Sequence, residues 1–390
     1  MRGPVAAVVV ALAFLITMLG ATMPTPLYPI YEQELGFGGV MVTLIFAAYA
    51  VGVAVALLFF GRLSDQLGRR AVLLPGLALA AISSAVFLIP GDIPTLFAGR
   101  VLSGLSAGVF TGTATATLVD LAPAGRQQQY SLLAAAVNML GLGLGPVLAG
   151  ALAEYAPAPL FLPYVVHIAL VLVIGVFLYA LAEPIETSGG PVSWRPQRVS
   201  VPPEVRGVFV RAAIAGFAGF AVLGLFTAVS PSFLAQVLHL SNHLVTGLVV
   251  LALLGPSTVG QIASSRLGER PALLVGCAAL VVGILVVGLS VALASLWLLV
   301  LGAAVAGVGQ GMSFRAGLGA VSAGSPPDRR SEVASSFFLV LYVAISLPVI
   351  GEGVASAAFG LVPSAVAFSV IVAVLAAIAF VSLLRRPQPG

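Results

Sequence analysis

Residues 61–70 read GRLSDQLGRR, a charged decapeptide set between two long apolar stretches of the chain. Its glycines allow tight backbone turns, because glycine adopts conformations that other residues avoid. Asp65 offers a carboxylate near the helix ends, and Arg62, Arg69 and Arg70 supply forked donors that suit carboxylates or lipid phosphates. We therefore interpret the decapeptide as a charged loop between two helices, able to hold two helix bundles in one of two arrangements.

The composition of the chain places it in a lipid bilayer. Among its 390 residues 60% are hydrophobic and only 8% are charged, whereas about 25% of the residues of a soluble domain are charged. A membrane-spanning helix needs about 20 mainly apolar residues, and this criterion predicts an all-helical membrane protein with twelve transmembrane helices. The predicted spans begin near Val5, Val40, Ala71, Pro94, Gln129, Leu160, Gly207, His243, Pro271, Ser295, Glu332 and Gly360.

The arginines predict the orientation of the spans. Basic residues concentrate in cytoplasmic loops, and an N-terminus in the cytoplasm puts the loop arginines on that side. Glu32, Glu34, Asp92 and Glu154 then fall on the opposite side. We therefore expect a multi-pass protein of the inner or plasma membrane with both termini cytoplasmic. The chain contains no lysine, and its net charge of +4 reflects this topology rather than a nucleic-acid partner.

A polar segment rich in proline and glycine divides the chain near its middle, between about Glu183 and Glu204. It predicts an N-terminal six-helix half at residues 1–182, a cytoplasmic linker at 183–205 and a C-terminal six-helix half at 206–390. Tryptophan and arginine in the linker suggest that part of it lies against the inner lipid headgroups.

Two short alignments indicate that the halves are repeats of each other. LGRRAVLL at 67–74 aligns with LGERPALL at 267–274, and SGLSAGV at 103–109 resembles AGVGQGM at 306–312. A repeat of six spans implies halves related by an axis along the membrane normal, with a substrate site near the midplane between them. The second copy carries Ser265 in place of an aspartate, which suggests the tighter gate contact in the first loop. Alternatively, this serine only caps a helix.

The spacing Gly-x-Leu-x-Asp-x-x-Gly-Arg-Arg, between the second and third predicted spans, resembles the corresponding loop of the major facilitator superfamily of transporters. This resemblance implies the family's fold, with twelve helices in two six-helix pseudo-repeats that work by alternating access. In the family an acidic residue at the inner end of helix four joins this loop in a charge cluster, which latches the outward-facing state against the start of helix eleven. The predicted gating residues are Gly61, Asp65, Gly68, Arg69, Arg70, Asp120 and Arg126. Alternatively, these arginines only mark the cytoplasmic face.

Arg100 lies in the fourth predicted span, where Gly104 and Gly108 follow it. This arrangement looks like the family's Arg-x-x-x-Gly pattern. An arginine within the membrane costs at least about 2.5 to 3.5 kcal/mol on insertion scales, so it needs an interior partner or a watery cavity. We predict that Arg100 faces the substrate or takes part in proton coupling. The alternative is an arginine that snorkels to the nearer membrane surface.

The fifth predicted span contains GLGLGPVLAG at 141–150. It resembles the Gly-x-x-x-Gly-Pro-x-x-Gly-Gly pattern of the family's exporters, with Ala149 in place of one glycine. Glycines four residues apart let another helix approach closely, and proline leaves a backbone carbonyl unpaired. The pattern favours efflux over uptake, with ordinary helix packing as the alternative. Its residues are Gly141, Gly145, Pro146 and Gly150.

The chain lacks a phosphate-binding loop of the Gly-x-x-x-x-Gly-Lys type, so we expect no cofactor and a proton gradient as the energy source. The first predicted span has no acidic residue, unlike many proton-driven exporters of the family. The candidate proton carriers are Glu154, His167 and Glu352. Close helix packing at Gly351 and Gly353 would desolvate Glu352. The alternatives are a water-exposed acid for Glu352 and a helix-packing residue for His167.

The family architecture places the substrate cavity between spans one, four, seven and ten, which offer Tyr28 and Gln310 among aromatic and aliphatic side chains. Such walls suit a lipophilic or amphipathic compound. We therefore predict a monomeric secondary transporter, similar to drug/proton antiporters, whose partners are a small-molecule substrate, protons and the lipid bilayer. The alternatives are a nutrient, sugar or metabolite permease and, more remotely, a membrane sensor that does not transport.

Enzymatic and metal chemistry are not expected. The chain has one cysteine and three scattered histidines, which do not form a pattern of metal ligands. It also lacks a Ser/His/Asp arrangement that would point to nucleophilic catalysis.

Overall fold

The computed structural model describes residues 3–60, 63–89, 91–184, 199–326 and 329–385. Within these ranges twelve helices are long and apolar enough to cross a membrane, and each begins close to its predicted start. The predicted all-helical fold with twelve transmembrane helices is therefore confirmed. In chain order, spans 1 to 12 are Pro4–Leu35, Gly39–Phe60, Arg69–Phe87, Ile93–Asp120, Gln127–Tyr155, Leu162–Tyr179, Pro203–Ala228, His243–Leu267, Glu269–Ala292, Leu296–Gly324, Arg330–Phe359 and Leu361–Leu384.

In the described part of the chain, polar side chains cap the starts of spans 4, 8 and 10, where the residues are Asp92, Asn242 and Ser295. At span 4 the Asp92 carboxylate accepts hydrogen bonds from the Thr95 backbone N–H at 3.0 Å and from the Thr95 hydroxyl at 2.6 Å. Asn242 caps span 8 through the N–H of Val245. Such caps satisfy backbone donors that the first turn of a helix leaves without intrahelical partners. The hydrogen bonds from Thr95 also lower the pKa of Asp92 below its ordinary value.

A proline-rich turn interrupts span 1. The helix Pro4–Thr22 is followed by a 3-10 turn at Thr25–Leu27 and by a second helix at Tyr28–Leu35. The two prolines of the intervening MPTP segment lack the N–H that a continuous helix needs. The helix nevertheless resumes, so Glu32 and Glu34 lie within span 1 rather than in a loop. These carboxylates lie after the break, and the helix Pro4–Thr22 before it contains no acidic residue, so the absence of an acid from the membrane part of the first span stays a prediction.

The chain divides into two compact units. The first comprises Met1–Leu35 and Ala48–Arg198, and the second comprises Gly36–Ala47 and Val199–Gly390. In the first unit span 1 packs against spans 4, 5 and 6, and span 3 packs against spans 4 and 6. The same pairings recur in the second unit, where span 7 packs against spans 10, 11 and 12, and span 9 against spans 10 and 12.

The linker between the predicted halves is described in part. Residues 185–198 lie outside the described residues, and the boundaries 1–182, 183–205 and 206–390 stay a prediction. After the undescribed residues 185–198, the backbone N–H of Ser200 donates a hydrogen bond to the Ser336 hydroxyl of span 11 at 3.1 Å. This hydrogen bond holds the end of the linker to the second unit.

Equivalent glycines make close helix contacts in the two units. A Cβ atom at Gly104 of span 4 would overlap the backbone carbonyl of Tyr49 in span 2. A Cβ atom at Gly307 of span 10 would likewise overlap the carbonyl of Leu253 in span 8. Gly104 and Gly307 align in the sequence repeat, and small residues that allow close backbone approach are a main device of helix packing in membranes. The repeated sequence therefore encodes repeated packing.

We expect Gly104→Ala to destabilise the protein, because the added methyl group has no space beside the Tyr49 carbonyl. Overpacking of this kind costs about 1–3 kcal/mol. Cys277 is the single cysteine and is buried, so a thiol-reactive fluorophore can report thermal unfolding in detergent. The melting temperature should fall by several degrees.

The matched control is Gly112→Ala on the same span, where an added Cβ meets no described atom within 4 Å. Alanine has a helix propensity about 1 kcal/mol better than that of glycine, so this variant should be as stable as the wild type or more stable. Equal melting temperatures for the two variants would contradict the packing role of Gly104.

Candidate functional site

Arg69 lies at the centre of a charge cluster in the first unit. Its Nε donates to Asp120 Oδ2 at 2.8 Å, and its Nη1 donates to Asp65 Oδ1 at 2.5 Å and to Ser64 Oγ at 2.7 Å. The Arg69 side chain is 10% exposed, whereas those of Asp65 and Asp120 are 62% and 28% exposed. One guanidinium thus joins the short helix Leu63–Leu67, the start of span 3 and the end of span 4. It can do so because a planar guanidinium carries several N–H donors that point in fixed directions.

A further carboxylate joins this cluster from the chain that follows span 6. Glu183 accepts hydrogen bonds from the backbone N–H groups of Arg69 at 2.6 Å and Arg70 at 3.1 Å. These donors belong to the first turn of span 3, where the helix dipole favours a negative charge. Sequence reasoning assigned Glu183 only to the linker. The available signal was an acidic residue directly after an apolar span, in a chain with few charges.

Gly68 and Arg70 complete the loop in different ways. Gly68 has a φ of +100°, a conformation that favours glycine, and a Cβ there would lie 2.8 Å from the Glu183 carboxylate. Arg70 Nη1 donates to the carbonyl of Leu181 at 3.3 Å, and its guanidinium lies 4.6 Å from the centre of the Tyr179 ring. Gly68 therefore leaves room for the Glu183 carboxylate, and Arg70 connects the start of span 3 to the end of span 6.

The second unit keeps the framework of this loop without the same charges. Arg270 Nη2 donates to the carbonyl of Leu383 at 3.0 Å. This bond is equivalent to the one from Arg70 to the carbonyl of Leu181 in the first unit. Gly268 has a φ of +80°. The positions of the first unit's aspartate and central arginine are taken by Ser265 and Glu269. Among the described residues, the cluster centred on the Arg69 guanidinium is therefore found in the first copy of the repeat and not in the second.

Two predicted gating residues do not join the described cluster. Arg126 precedes the helix of span 5, is exposed and takes part in none of the cluster's described hydrogen bonds. Gly61 lies outside the described residues, as does Arg62. The role of the whole set in gating stays a prediction.

Arg100 is buried inside the first unit, with 2% of its surface exposed. Its Nη1 donates to the carbonyl of Ala21 at 2.6 Å, and its guanidinium lies 4.7 Å from the centre of the Tyr49 ring. The Ala21 carbonyl belongs to the last turn before the break in span 1, where carbonyls lack intrahelical donors. Arg100 therefore points inward, and the alternative of an arginine that snorkels to the surface is wrong.

Buried tyrosines accompany Arg100. Tyr28 is 2% exposed, its hydroxyl has no hydrogen-bond partner among the described residues, and it lies within electrostatic range of Arg100. The hydroxyls of Tyr31 and Tyr164 are hydrogen-bonded at 3.1 Å, and the Tyr164 ring stacks on Phe87. The two candidates Arg100 and Tyr28 thus belong to one buried polar region of the first unit.

His167 connects span 6 to spans 1 and 3 by hydrogen bonds. Its Nε2 lies 3.0 Å from the carbonyl of Ile16, which can only accept a hydrogen bond, so Nε2 carries the proton. Nδ1 then accepts from the Ser84 hydroxyl at 2.7 Å. The ring is 1% exposed, and any Cβ at Gly20 would overlap it. A neutral ring with both nitrogens hydrogen-bonded favours the packing role over the proton relay.

The glycines of span 5 make room for span 1. A Cβ at Gly141 would lie 2.6 Å from the carbonyl oxygen of Leu15, and a Cβ at Gly145 would overlap that of Leu19. Gly150 is also buried. The glycines of the 141–150 pattern thus allow spans 1 and 5 to pack closely within the first unit.

Pro146 has no N–H, so the carbonyl of Leu142 loses its helical donor. The Thr22 hydroxyl of span 1 donates to this carbonyl at 2.7 Å. Inside a membrane such a freed group must be satisfied by a neighbouring helix or by ordered water. The glycine–proline pattern therefore has a packing function in this protein, and the efflux direction stays a prediction.

Two candidate residues lie in the second unit. Glu352 of span 11 is 3% exposed, and its Oε1 has no hydrogen-bond partner among the described residues. Gln310 of span 10 is 1% exposed and accepts a hydrogen bond from the Ser257 hydroxyl at 2.5 Å. Its Nε2 has no partner in the described part of the chain. Glu352 is therefore not an exposed acid at a helix end.

Comparison with known sequences identifies relatives among transporters. The model of the family described as Major Facilitator Superfamily matches residues 10–347. The quinolone resistance protein NorA of Staphylococcus aureus is 31% identical over 137 residues, which are 35% of this chain and 35% of NorA. The uncharacterized MFS-type transporter MJ1560 of Methanocaldococcus jannaschii is 28% identical over 138 residues, 35% of this chain and 36% of that protein. The chain thus matches about a third of the length of these curated relatives.

Solved structures share the fold. A bacterial homologue of the human lysosomal transporter Spinster matches with a TM-score of 0.78 and 15% identity, over 100% of both chains. The human organic anion transporter MFSD10 (TETRAN) matches with a TM-score of 0.69 and 19% identity, over 98% of this chain and 100% of that chain. At these identities the likeness shows the arrangement of helices alone.

We expect Glu183→Gln to loosen the first turn of span 3, because the amide loses the negative charge that faces the helix N-terminus. Charges at this position contribute about 0.3–1 kcal/mol. Hydrogen exchange followed by mass spectrometry should show faster exchange of the Arg69 and Arg70 amides. Glu204→Gln, at a carboxylate outside the cluster's described contacts, should leave that exchange unchanged. Equal protection of the two amides in Glu183→Gln and wild type would refute the cap.

Proposed function

The chain belongs to the Major Facilitator Superfamily, and from this membership we propose that it is a secondary active transporter that exports small lipophilic or amphipathic compounds in exchange for protons. The observation that carries the proposal is the burial of two ionisable side chains, Arg100 and Glu352, within membrane spans. Such residues mark substrate pathways and proton relays. Family membership also supports the expectation that the chain is not an enzyme.

Aromatic pairs support a lipophilic substrate. Phe14 and Phe110, in spans 1 and 4, have ring centres 6.4 Å apart within the first unit. Phe220 and Phe314, in spans 7 and 10, have ring centres 5.5 Å apart within the second. Aromatic side chains with few polar groups beside them suit drug-like compounds.

The export direction rests on sequence similarity. The aligned third of NorA, named as a quinolone resistance protein, is 31% identical to this chain. Removal of a compound from the cell is one way to confer resistance to it. The glycine–proline pattern of span 5 favours the same direction.

Glu352 is the proposed carrier of the proton. A buried carboxylate is costly while it is charged, and protonation removes this cost. Because Oε1 lacks a described partner, no described hydrogen bond offsets the cost for that oxygen. The carboxylate can therefore gain and lose a proton as its surroundings change during transport.

The Arg69 cluster is the proposed gate latch. It ties the loop to spans 3 and 4, and Asp65 is its most exposed carboxylate. We place the cluster on the cytoplasmic side of the plasma membrane, with both chain termini, because the loop arginines follow the positive-inside rule.

The proposal is tested with purified protein in liposomes, under an imposed proton gradient and with a pH-sensitive dye inside. Lipophilic amines, quinolones and sugars are added in turn. Proton movement opposite to an amphipathic compound would support antiport. Sugar or metabolite flux, with protons moving alongside or not at all, would replace the exporter with a permease. Binding without any flux would indicate a sensor.

We expect Asp65→Asn to slow transport without impairing membrane insertion. The amide removes one of the two charges that neutralise Arg69. Because the Asp65 side chain is 62% exposed, its ion pair contributes at most about 1 kcal/mol, which shifts the population of a conformation up to about fivefold. The rate of dye quenching in liposomes measures the effect. Asp65→Glu keeps the charge and should recover most of the rate. Wild-type flux in Asp65→Asn would remove the gating role from this residue.

A further inference from the structure

A cavity of about 590 Å³ lies in the second unit beside Glu352. Its walls come from the segment Gly36–Ala47, the end of span 7, the short helix Ser230–Gln236, span 11 and the start of span 12. Pockets that hold drug-sized molecules have volumes of about 300–1,000 Å³. The cavity is therefore large enough for an organic molecule, and neither Tyr28 nor Gln310 is among its lining residues.

Glu352 supplies the charge of this cavity. The described lining residues include no arginine, lysine or histidine, and no other acidic residue. Phe37, Met41 and Val229 contribute apolar surface, and Gln236 contributes an exposed amide. Because the residue is 3% exposed and Oε1 has no described partner, the carboxylate is a hydrogen-bond acceptor in need of a donor.

Glycines precede and follow Glu352 in span 11, and their surroundings differ. A Cβ at Gly353 would lie 2.5 Å from the Thr43 hydroxyl oxygen, so the glycine lets the segment Gly36–Ala47 approach span 11 closely. At Gly351, by contrast, an added Cβ would meet no described atom within 4 Å. The acidic residue is thus flanked by one tight contact and one open position.

We propose that this cavity binds monovalent amphipathic organic cations, whose ammonium group donates to Glu352 while the apolar body lies against the wall. A carboxylate repels anions, and hydrogen bonds between charged groups are about twice as strong as neutral ones. Among the described residues no group of three His, Cys, Asp or Glu could hold a metal ion, so Glu352 does not belong to a metal-binding group of this kind. The inference deepens the proposed function by naming a substrate class, and rests on it for the step from binding to transport.

The test compares two ligands that differ in charge. Naphthalen-2-ylmethanamine is a cation at neutral pH, and naphthalen-2-ylmethanol is its neutral analogue with the same aromatic body. Their binding to the purified full chain in detergent, without any gradient, is measured by naphthyl fluorescence anisotropy. We expect the amine to bind at least about tenfold more tightly than the alcohol, because only the amine forms a charge-assisted hydrogen bond.

Two variants locate the site. Glu352→Gln should weaken amine binding about tenfold, to the level of the alcohol, while Glu332→Gln at the other end of span 11 should bind as the wild type does. Ala357→Phe narrows the cavity and leaves the carboxylate in place. It should weaken both naphthyl ligands, and it keeps the test available if Glu352→Gln does not fold.

Equal affinity for amine and alcohol, or amine binding unchanged in Glu352→Gln or Ala357→Phe, would overturn the inference. Its failure is distinguishable from that of the proposed function. Charge-selective binding that depends on Glu352, without flux in liposomes, would leave the cavity assignment standing and sink the transporter proposal. Proton-coupled flux of an amphipathic compound together with amine binding unaffected by Glu352→Gln would support the transporter proposal and overturn the cavity assignment.

Discussion

The fold depends on one constraint, which is that a backbone carbonyl inside a bilayer must find a donor within the protein. Where a helix ends or a proline removes an N–H, a side chain from another span supplies the donor. Thr22 donates to Leu142 beside a proline, and Arg100 donates to Ala21 at the break of span 1. The residues that resemble functional motifs therefore also complete the backbone. A substitution in them alters packing and chemistry together.

The two copies of the repeat share a scaffold and differ in where charge is placed. Arg100 of span 4 aligns with Ala303 of span 10, and the first loop's aspartate aligns with a serine. In span 11 a glutamate lies four residues after the helix proline, where span 5 has Gly150 after Pro146. Glycine contacts and the arginine-to-carbonyl bonds persist in both copies. The residues that we propose for gating and coupling therefore lie at positions where the repeat has diverged.

Hydropathy and the decapeptide were sufficient to predict the twelve spans, because apolar length and charged loops are local properties of the sequence. Contacts with backbone atoms could not be predicted in the same way. The carbonyl of Ala21 leaves no trace in residue identity, so the sequence predicted an interior Arg100 without its partner and left the membrane surface open as an alternative. Glu183 was missed since its partners are backbone amides of another span. The resumption of span 1 at Tyr28 was missed because prolines can end a helix or only interrupt it.

The carboxylate of Glu352 offers a physical route from binding to exchange. A buried carboxylate is stabilised by a proton or by an organic cation, and either one neutralises the charge that burial penalises. Since the described cavity lining contains no second charge, the two cannot both be held by that group as counter-ions. If both proposals hold, arrival of the cation requires departure of the proton. Opposite movement of the two would then follow from competition for one carboxylate, without a separate site for coupling.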